Sequence, residues 1–104
     1  ILYVSGQIGI DPKTMVFINE SIEKESEQVM QNLSAVLKAA QMSFEDVVKT
    51  TIFLDNMYHF QKVNAVYGSY FDENIAPARE TVAVKTLPKN AKVEISVIAI
   101  SSNN

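Results

Sequence analysis

The sequence predicts an α+β fold in which two helices pack on one face of a mixed β-sheet. Three observations predict it. Segments rich in β-branched residues alternate with the period of a strand, two longer segments repeat apolar residues at helical spacing, and Pro, Asn and Asp mark the turns between them. The predicted order of elements is β-β-α-β-α-β-β. A length of 104 residues is that of one domain, which we expect to span residues 1–104.

Composition argues against several classes of function. The net charge is −3, and the sequence has no basic stripe interleaved with aromatic residues. Binding to the phosphate backbone of a nucleic acid is therefore not expected. With no Cys and one His, a disulfide, a thiolate nucleophile and a closed zinc site are not expected. No apolar run approaches the ~18 residues of a membrane span. These features favour a cytoplasmic protein, but the chain begins at Ile1 without Met, so an organellar targeting signal ahead of it stays open.

A hairpin and a long helix are predicted in the first half of the chain. Imperfect alternation over Ile1–Ile10 predicts a strand at Leu2–Ile8. Gly6 and Gly9 interrupt the alternation and indicate a bulge or a close approach of backbone. A turn with Pro at its second position leads into a short returning strand over Met15–Ile18. Ser21 is a typical N-cap for the helix that follows. Because no glycine stands at the end of this helix, we expect its last turn to fray.

The middle of the chain predicts a strand and a second helix. A one-turn capped helix over Ser43–Asp46 precedes a strand over Val47–Leu54, with Val48 assigned to the same face as Ile52. The second helix is predicted over Tyr58–Asp72. Its buried stripe consists of Phe60, Val63, Tyr67, Tyr70 and Phe71, and His59 lies off this stripe in a structural or surface position.

Two strands are predicted at the end of the chain, over Glu80–Lys85 and Lys92–Ile100. In the last strand Val93, Ile95, Val97 and Ala99 form one apolar face. The opposite face begins with Glu94 and Ser96 and then turns apolar at Ile98 and Ile100. Because a large apolar patch is unusual on the surface of a monomer, this second face predicts contact with another subunit.

Arg79, the only arginine, is the first candidate for a functional residue. Pro77 favours an extended chain here, so Arg79 is predicted at the mouth of a strand. A guanidinium in that position suits a carboxylate or phosphate. The alternative is a surface arginine that pairs with Glu80 or with a partner subunit.

Five separated segments make the sequence resemble the Rid family, the reactive-intermediate deaminases, also called the YjgF or liver perchloric-acid-soluble protein family. They are Leu2–Ile8, Val47–Leu54, Val63–Tyr67, Pro77–Arg79 and Val93–Ile95. The resemblance runs the whole length of the chain. It implies a chorismate-mutase-like subunit and a homotrimer with a barrel-like core, with three sites between subunits. The implied reaction is hydrolysis of reactive enamines and imines, such as 2-aminoacrylate and 2-iminopropanoate, to 2-oxo acids and ammonia, without a metal or cofactor.

The same resemblance assigns roles to individual residues. Arg79 matches the arginine that grips the substrate carboxylate, and Glu94 matches the glutamate that positions or activates the attacking water. Thr81, through its backbone, matches a position that lines the cleft, as do Asn64 and the Ser5-Gly6 segment. From the residues alone, Glu94 is interpreted as an ordinary carboxylate at a sheet edge. Asn64 is equally a helix cap or a hydrogen-bonding partner between subunits.

Some departures from the family pattern bear on this interpretation. Glu80 stands where many relatives have serine, and it would compete for Arg79 if it entered the pocket. Met15 and Gln41 replace common glycines, and a family segment preceding Ile1, with a tyrosine that closes the cleft, is absent.

Two other functions stay open: an endoribonuclease acting on single-stranded RNA, and a non-catalytic trimer that binds small carboxylates.

Overall fold

The structure, a computed structural model, describes residues 1–101; the last three residues of the predicted domain lie outside the described part. It has four strands and two α-helices. The elements are β1 (Leu2–Gln7), α1 (Ile22–Ala39), β2 (Val47–Leu54), α2 (Phe60–Gly68), β3 (Ala78–Ala83) and β4 (Val93–Ala99). None of the helices in this range is both long and apolar enough to cross a membrane.

The sheet is mixed, with the strand order β1-β4-β2-β3. β4 pairs antiparallel with both β1 and β2, and β3 runs parallel to β2 at the edge. The predicted α+β class with two helices on one sheet face is confirmed. The core lies between the helices and this face, where α1 contributes Val29, Met30, Leu33 and Leu37 and β4 contributes Val93, Ile95, Val97 and Ala99.

The predicted returning strand over Met15–Ile18 is wrong. This segment makes one isolated bridge, between Ile10 and Phe17. Met15 has a φ of 60°, and Val16 is 55% exposed, so neither extended backbone nor burial favours a strand here. Hydrogen bonds from Ile18 N to Gly9 O and from Asp11 N to Val16 O close the loop instead.

The expected fraying at the end of α1 is also wrong. Gln41 adopts a φ of 61°, and its N–H donates to Lys38 O at 2.9 Å. The N–H of Met42 donates to Leu37 O at 2.8 Å, which completes a Schellman motif. Gln41 therefore takes the left-handed conformation of a terminal glycine and closes the helix. At its other end, Ser21 caps α1 as predicted, because its hydroxyl accepts from Lys24 N.

Three further predictions, one of a strand face and two of element boundaries, differ from the structure. Val48 is 44% exposed, because β2 is irregular between Val47 and Lys49, and Val47 is buried in its place. The helix predicted over Tyr58–Asp72 is a 3-10 turn over Met57–His59 followed by the shorter α2. β3 begins two residues earlier than predicted, directly after Pro77, which brings Arg79 inside the strand.

Candidate active site

Arg79 is held by residues of α2. It is the second residue of β3, beside Thr50 of β2 in the parallel register. Its Nη1 donates a hydrogen bond to Asn64 Oδ1. Its guanidinium carbon lies 5.6 Å from the ring centroid of Phe60 and 5.4 Å from that of Tyr67. Both distances are within the range of cation–π attraction, so α2 orients a cation that is itself exposed.

A cavity of about 400 Å³ opens beside this guanidinium, between α2 and the loop that leads into β3. Its lining residues are Asn64, Tyr67, Gly68, Phe71, Glu73, Ala76, Pro77 and Arg79. Burial raises the pKa of the Tyr67 phenol, which therefore stays protonated and donates to Thr50 Oγ1 at 3.0 Å. The cavity thus offers a planar cation against an aromatic wall, which suits a small carboxylate.

Glu80 does not compete for Arg79 within the chain. Its carboxylate forms a 2.7 Å ion pair with Lys49 Nζ. The hydrogen bond from Lys49, and then its charge, lower the pKa of Glu80 below the ordinary value. Adjacent residues of a strand point to opposite faces, so Arg79 faces α2 and Glu80 faces away from it. Within residues 1–101, the alternative that Arg79 pairs with Glu80 is wrong.

Glu94 lies against a bulge in β1. The β1–β4 register shifts between Val4 and Gln7, in agreement with the bulge that Gly6 predicts. A Cβ atom placed on Gly6 would lie 2.6 Å from Glu94 Cδ and 2.9 Å from its Cγ. Only glycine leaves room for this carboxyl group, so Gly6 sets the position of Glu94 through its missing side chain.

The register of the sheet separates Glu94 from Arg79. Glu94 pairs with Phe53 of β2, whereas Arg79 pairs with Thr50. Phe53 and Thr50 are three residues apart in one strand and point to opposite faces. Arg79 therefore lies on the helix-covered face, and Glu94 lies on the face that the helices leave open.

The remaining predicted residues divide between these two locations. Asn64 belongs with Arg79. Thr81 shares the face of Arg79, and its Oγ1 is buried without a hydrogen-bond partner within the described range. Ser5 is exposed beside Gly6 and belongs with Glu94. Reasoning from the sequence misses the roles of Phe60 and Tyr67, which it assigns to the core stripe; both also flank the arginine.

Comparison with known proteins identifies the family to which the chain belongs. The family model described as endoribonuclease L-PSP matches residues 1–101. The RutC family protein slr0709 of Synechocystis is 50% identical over 95% of this chain and 77% of its own length. Human 2-iminobutanoate/2-iminopropanoate deaminase is 40% identical over 95% of this chain and 72% of its own. The chain belongs to this L-PSP family, also known as the YjgF or Rid family.

The fold of this chain is also similar to that of a solved structure. Escherichia coli TdcF, whose crystal structure contains bound serine, superimposes with a TM-score of 0.89 at 35% identity. The match covers 96% of this chain and 80% of TdcF. The family includes imine deaminases, and other members carry different names.

Proposed function

We propose that this chain forms a homotrimer that hydrolyses reactive 2-enamine and 2-imine acids, such as 2-aminoacrylate and 2-iminopropanoate, to 2-oxo acids and ammonia. The observation that carries the proposal is the Arg79 guanidinium, oriented by Asn64 and two aromatic rings at the edge of a cavity. None of the ion pairs among residues 1–101 uses Arg79, so its charge is available to an incoming carboxylate.

Arg79 binds the substrate and Glu94 activates water. The guanidinium takes the substrate carboxylate through two parallel hydrogen bonds, which fixes the imine carbon in space. Glu94 accepts a proton from water as the water oxygen bonds to the carbon of the protonated imine, and a carbinolamine forms. Glu94 then returns this proton to the nitrogen and takes up the hydroxyl proton, so that the C–N bond breaks, ammonia leaves and the C=O bond of the 2-oxo acid forms. General-base catalysis of this kind contributes about 10²–10⁴-fold.

The two residues reach one substrate when they come from neighbouring protomers. Within one chain they lie on opposite faces of the sheet, so a second copy must supply one of them. The face that carries Glu94 is also apolar and open: Tyr3 is 71% exposed and Val82 46% exposed, with Phe53 and Ile98 beside them. Covering this face in a trimer would bury apolar surface and assemble the site together.

Coupled turnover tests the proposal. A dehydratase generates 2-iminopropanoate, and release of the 2-oxo acid is followed with wild type, Arg79→Ala and Glu80→Ala. We expect wild type to accelerate release, Arg79→Ala to abolish the acceleration, and Glu80→Ala to retain it because the carboxylate of Glu80 pairs with Lys49 and not with Arg79. A folded wild-type protein without effect contradicts the proposal. Binding of a 2-oxo acid without turnover would favour a carboxylate-binding trimer.

Cleavage of single-stranded RNA is the alternative function, favoured by the description of the matching family as an endoribonuclease. The net charge of −3 offers little attraction for a polyanion. Nuclease-free protein that cleaves single-stranded RNA, with the activity lost in Arg79→Ala, would favour this alternative.

A further inference from the structure

Glu25 is a buried carboxylate that the proposed reaction does not use. It lies in the first turn of α1 and has no exposed surface. Its Oε2 accepts hydrogen bonds from the backbone N–H of Lys92 at 2.7 Å and of Val93 at 3.3 Å. Burial of a carboxylate is costly unless hydrogen bonds compensate it, and these two bonds compensate Oε2 alone, since Oε1 is buried without a hydrogen-bond partner in the described part of the chain.

The two amides immediately precede Glu94 in the chain. The Lys92 peptide is held on both sides, because its carbonyl accepts from Asp55 N at 3.1 Å while its N–H donates to Glu25. Val93 begins β4, and the next residue is Glu94. Glu25 therefore anchors the end of β4 at which Glu94 stands.

The loop after β1 packs on the side-chain stem and backbone of Glu25. A Cβ atom on Gly9 would lie 3.0 Å from Glu25 Cγ and 3.2 Å from the backbone oxygens of Glu25 and Ile18. This loop continues from the bulge in which Gly6 contacts Glu94. Glu25 thus touches both segments that frame Glu94: the start of β4 and the chain that leaves the bulge.

We propose that Glu25 is a positioning residue, which acts through the Lys92 and Val93 amides to hold Glu94 where it can activate water. This proposal rests on the deaminase function proposed above. The relevant property of Glu25 is the reach of its side chain, that is, its length, because one acceptor oxygen must contact both amides at once. A displacement of the general base by about 1 Å is enough to cost up to about 10²-fold in rate.

Three variants separate the reach of Glu25 from its charge. Glu25→Gln keeps the length and an acceptor oxygen. Glu25→Asp keeps the charge but withdraws the acceptor, and Glu25→Met keeps the approximate volume without an acceptor. We expect Glu25→Asp and Glu25→Met to lower kcat by about tenfold or more, while their KM stays within about twofold of the wild-type value. Glu25→Gln should retain kcat within about threefold. Glu23→Asp, an exposed change in the same helical turn, is the matched control and should retain wild-type kcat.

The outcome is decisive if either Asp or Met folds. Wild-type kcat in that variant, or a rise in KM that accounts for the loss of kcat/KM, would overturn the proposal. A low kcat in Glu25→Gln would overturn the proposal as well, because the length of the side chain would then not be the property that positions Glu94.

A wild-type protein without deaminase turnover would contradict the proposed function, and the positioning role would then be judged by NMR. The readout is the chemical shift of the Glu94 carboxyl carbon. A chemical shift altered in Glu25→Asp or Glu25→Met, but unchanged in Glu25→Gln and Glu23→Asp, supports the role of Glu25. An identical chemical shift in all of these proteins overturns it.

Discussion

Arg79 and Glu94 lie on opposite faces of one β-sheet, although they are the two residues that the proposed reaction needs at one substrate. Their partners in β2, Thr50 and Phe53, are three residues apart, and the pairing of β2 with β3 and with β4 is regular between these two positions. Under the proposed mechanism, a single protomer would therefore present a carboxylate-binding half-site on one face and a water-activating half-site on the other. The proposed function depends on how copies of the chain meet.

The contact between Gly6 and Glu94 gives the first testable expectation. In Gly6→Ala the new Cβ must displace the Glu94 carboxyl group, which is the movable end of a side chain, so we expect kcat to fall by up to about 10²-fold. The protein should still fold. Gly9→Ala is the informative counterpart, because its Cβ meets backbone oxygens at 3.2 Å and should lower Tm. Wild-type kcat in Gly6→Ala would show that Glu94 does not need this position.

Gln41 at the end of α1 gives an expectation about stability. A left-handed conformation costs a residue with a side chain roughly 1–2 kcal/mol, and glycine avoids most of this cost. We expect Gln41→Gly to raise the free energy of unfolding in urea by about 1 kcal/mol. Ala40→Gly, one residue earlier and at a φ of −94°, should lower it. Equal effects in both variants would contradict the assigned conformation.

The pH dependence of stability should reveal the burial of Glu25. Burial raises the pKa of Glu25 above 4.5, against the smaller effects of the two amides. Lys92 and Asp55 are the charged groups that act on it, and Asp55 in turn pairs with His59 at 3.6 Å. The ionised form costs stability above the folded-state pKa, and this cost disappears as the pH falls toward 4.5. Wild type should therefore gain stability on acidification relative to Glu25→Gln.

Glu80→Gln supplies a control of opposite sign. The pair with Lys49 lowers the pKa of Glu80, so the stabilisation it gives is present above pH 4.5 and is lost as the pH falls through the folded-state pKa. Wild type should lose stability relative to Glu80→Gln on acidification. Denaturant unfolding of the three proteins between about pH 7 and about pH 3 measures both differences. The same sign for both variants would contradict the burial of Glu25.

Much of the fold follows from local patterns in the sequence. The alternation in β4 predicted its buried face, and the bounds of β2 agree with the structure because a capped turn precedes it and polar residues follow. The bulge at Gly6 was also predictable, since glycine inside a strand commonly marks a bulge or a close approach of backbone. These features depend on residues that are close together in the chain, so they can be predicted from the sequence.

What the sequence did not reveal depends on pairing between distant segments. The faces of Arg79 and Glu94 follow from the registers of β3 and β4 against β2, which no local pattern determines. The irregularity after Val47, which exposes Val48, arises in the same pairing. In the sequence, Glu25 is one of several charged residues at the start of α1. Its contact with amides 67 and 68 residues away has no local sign.

Mixing two inactive variants tests the central claim most directly. Arg79→Ala and Glu94→Gln are co-expressed and purified together, and turnover of 2-iminopropanoate is compared with that of each variant alone and of wild type. If each site takes Arg79 from one protomer and Glu94 from its neighbour, random mixing of equal amounts restores about a quarter of wild-type activity. Two inactive parents whose mixed oligomers are equally inactive would contradict a site shared between protomers.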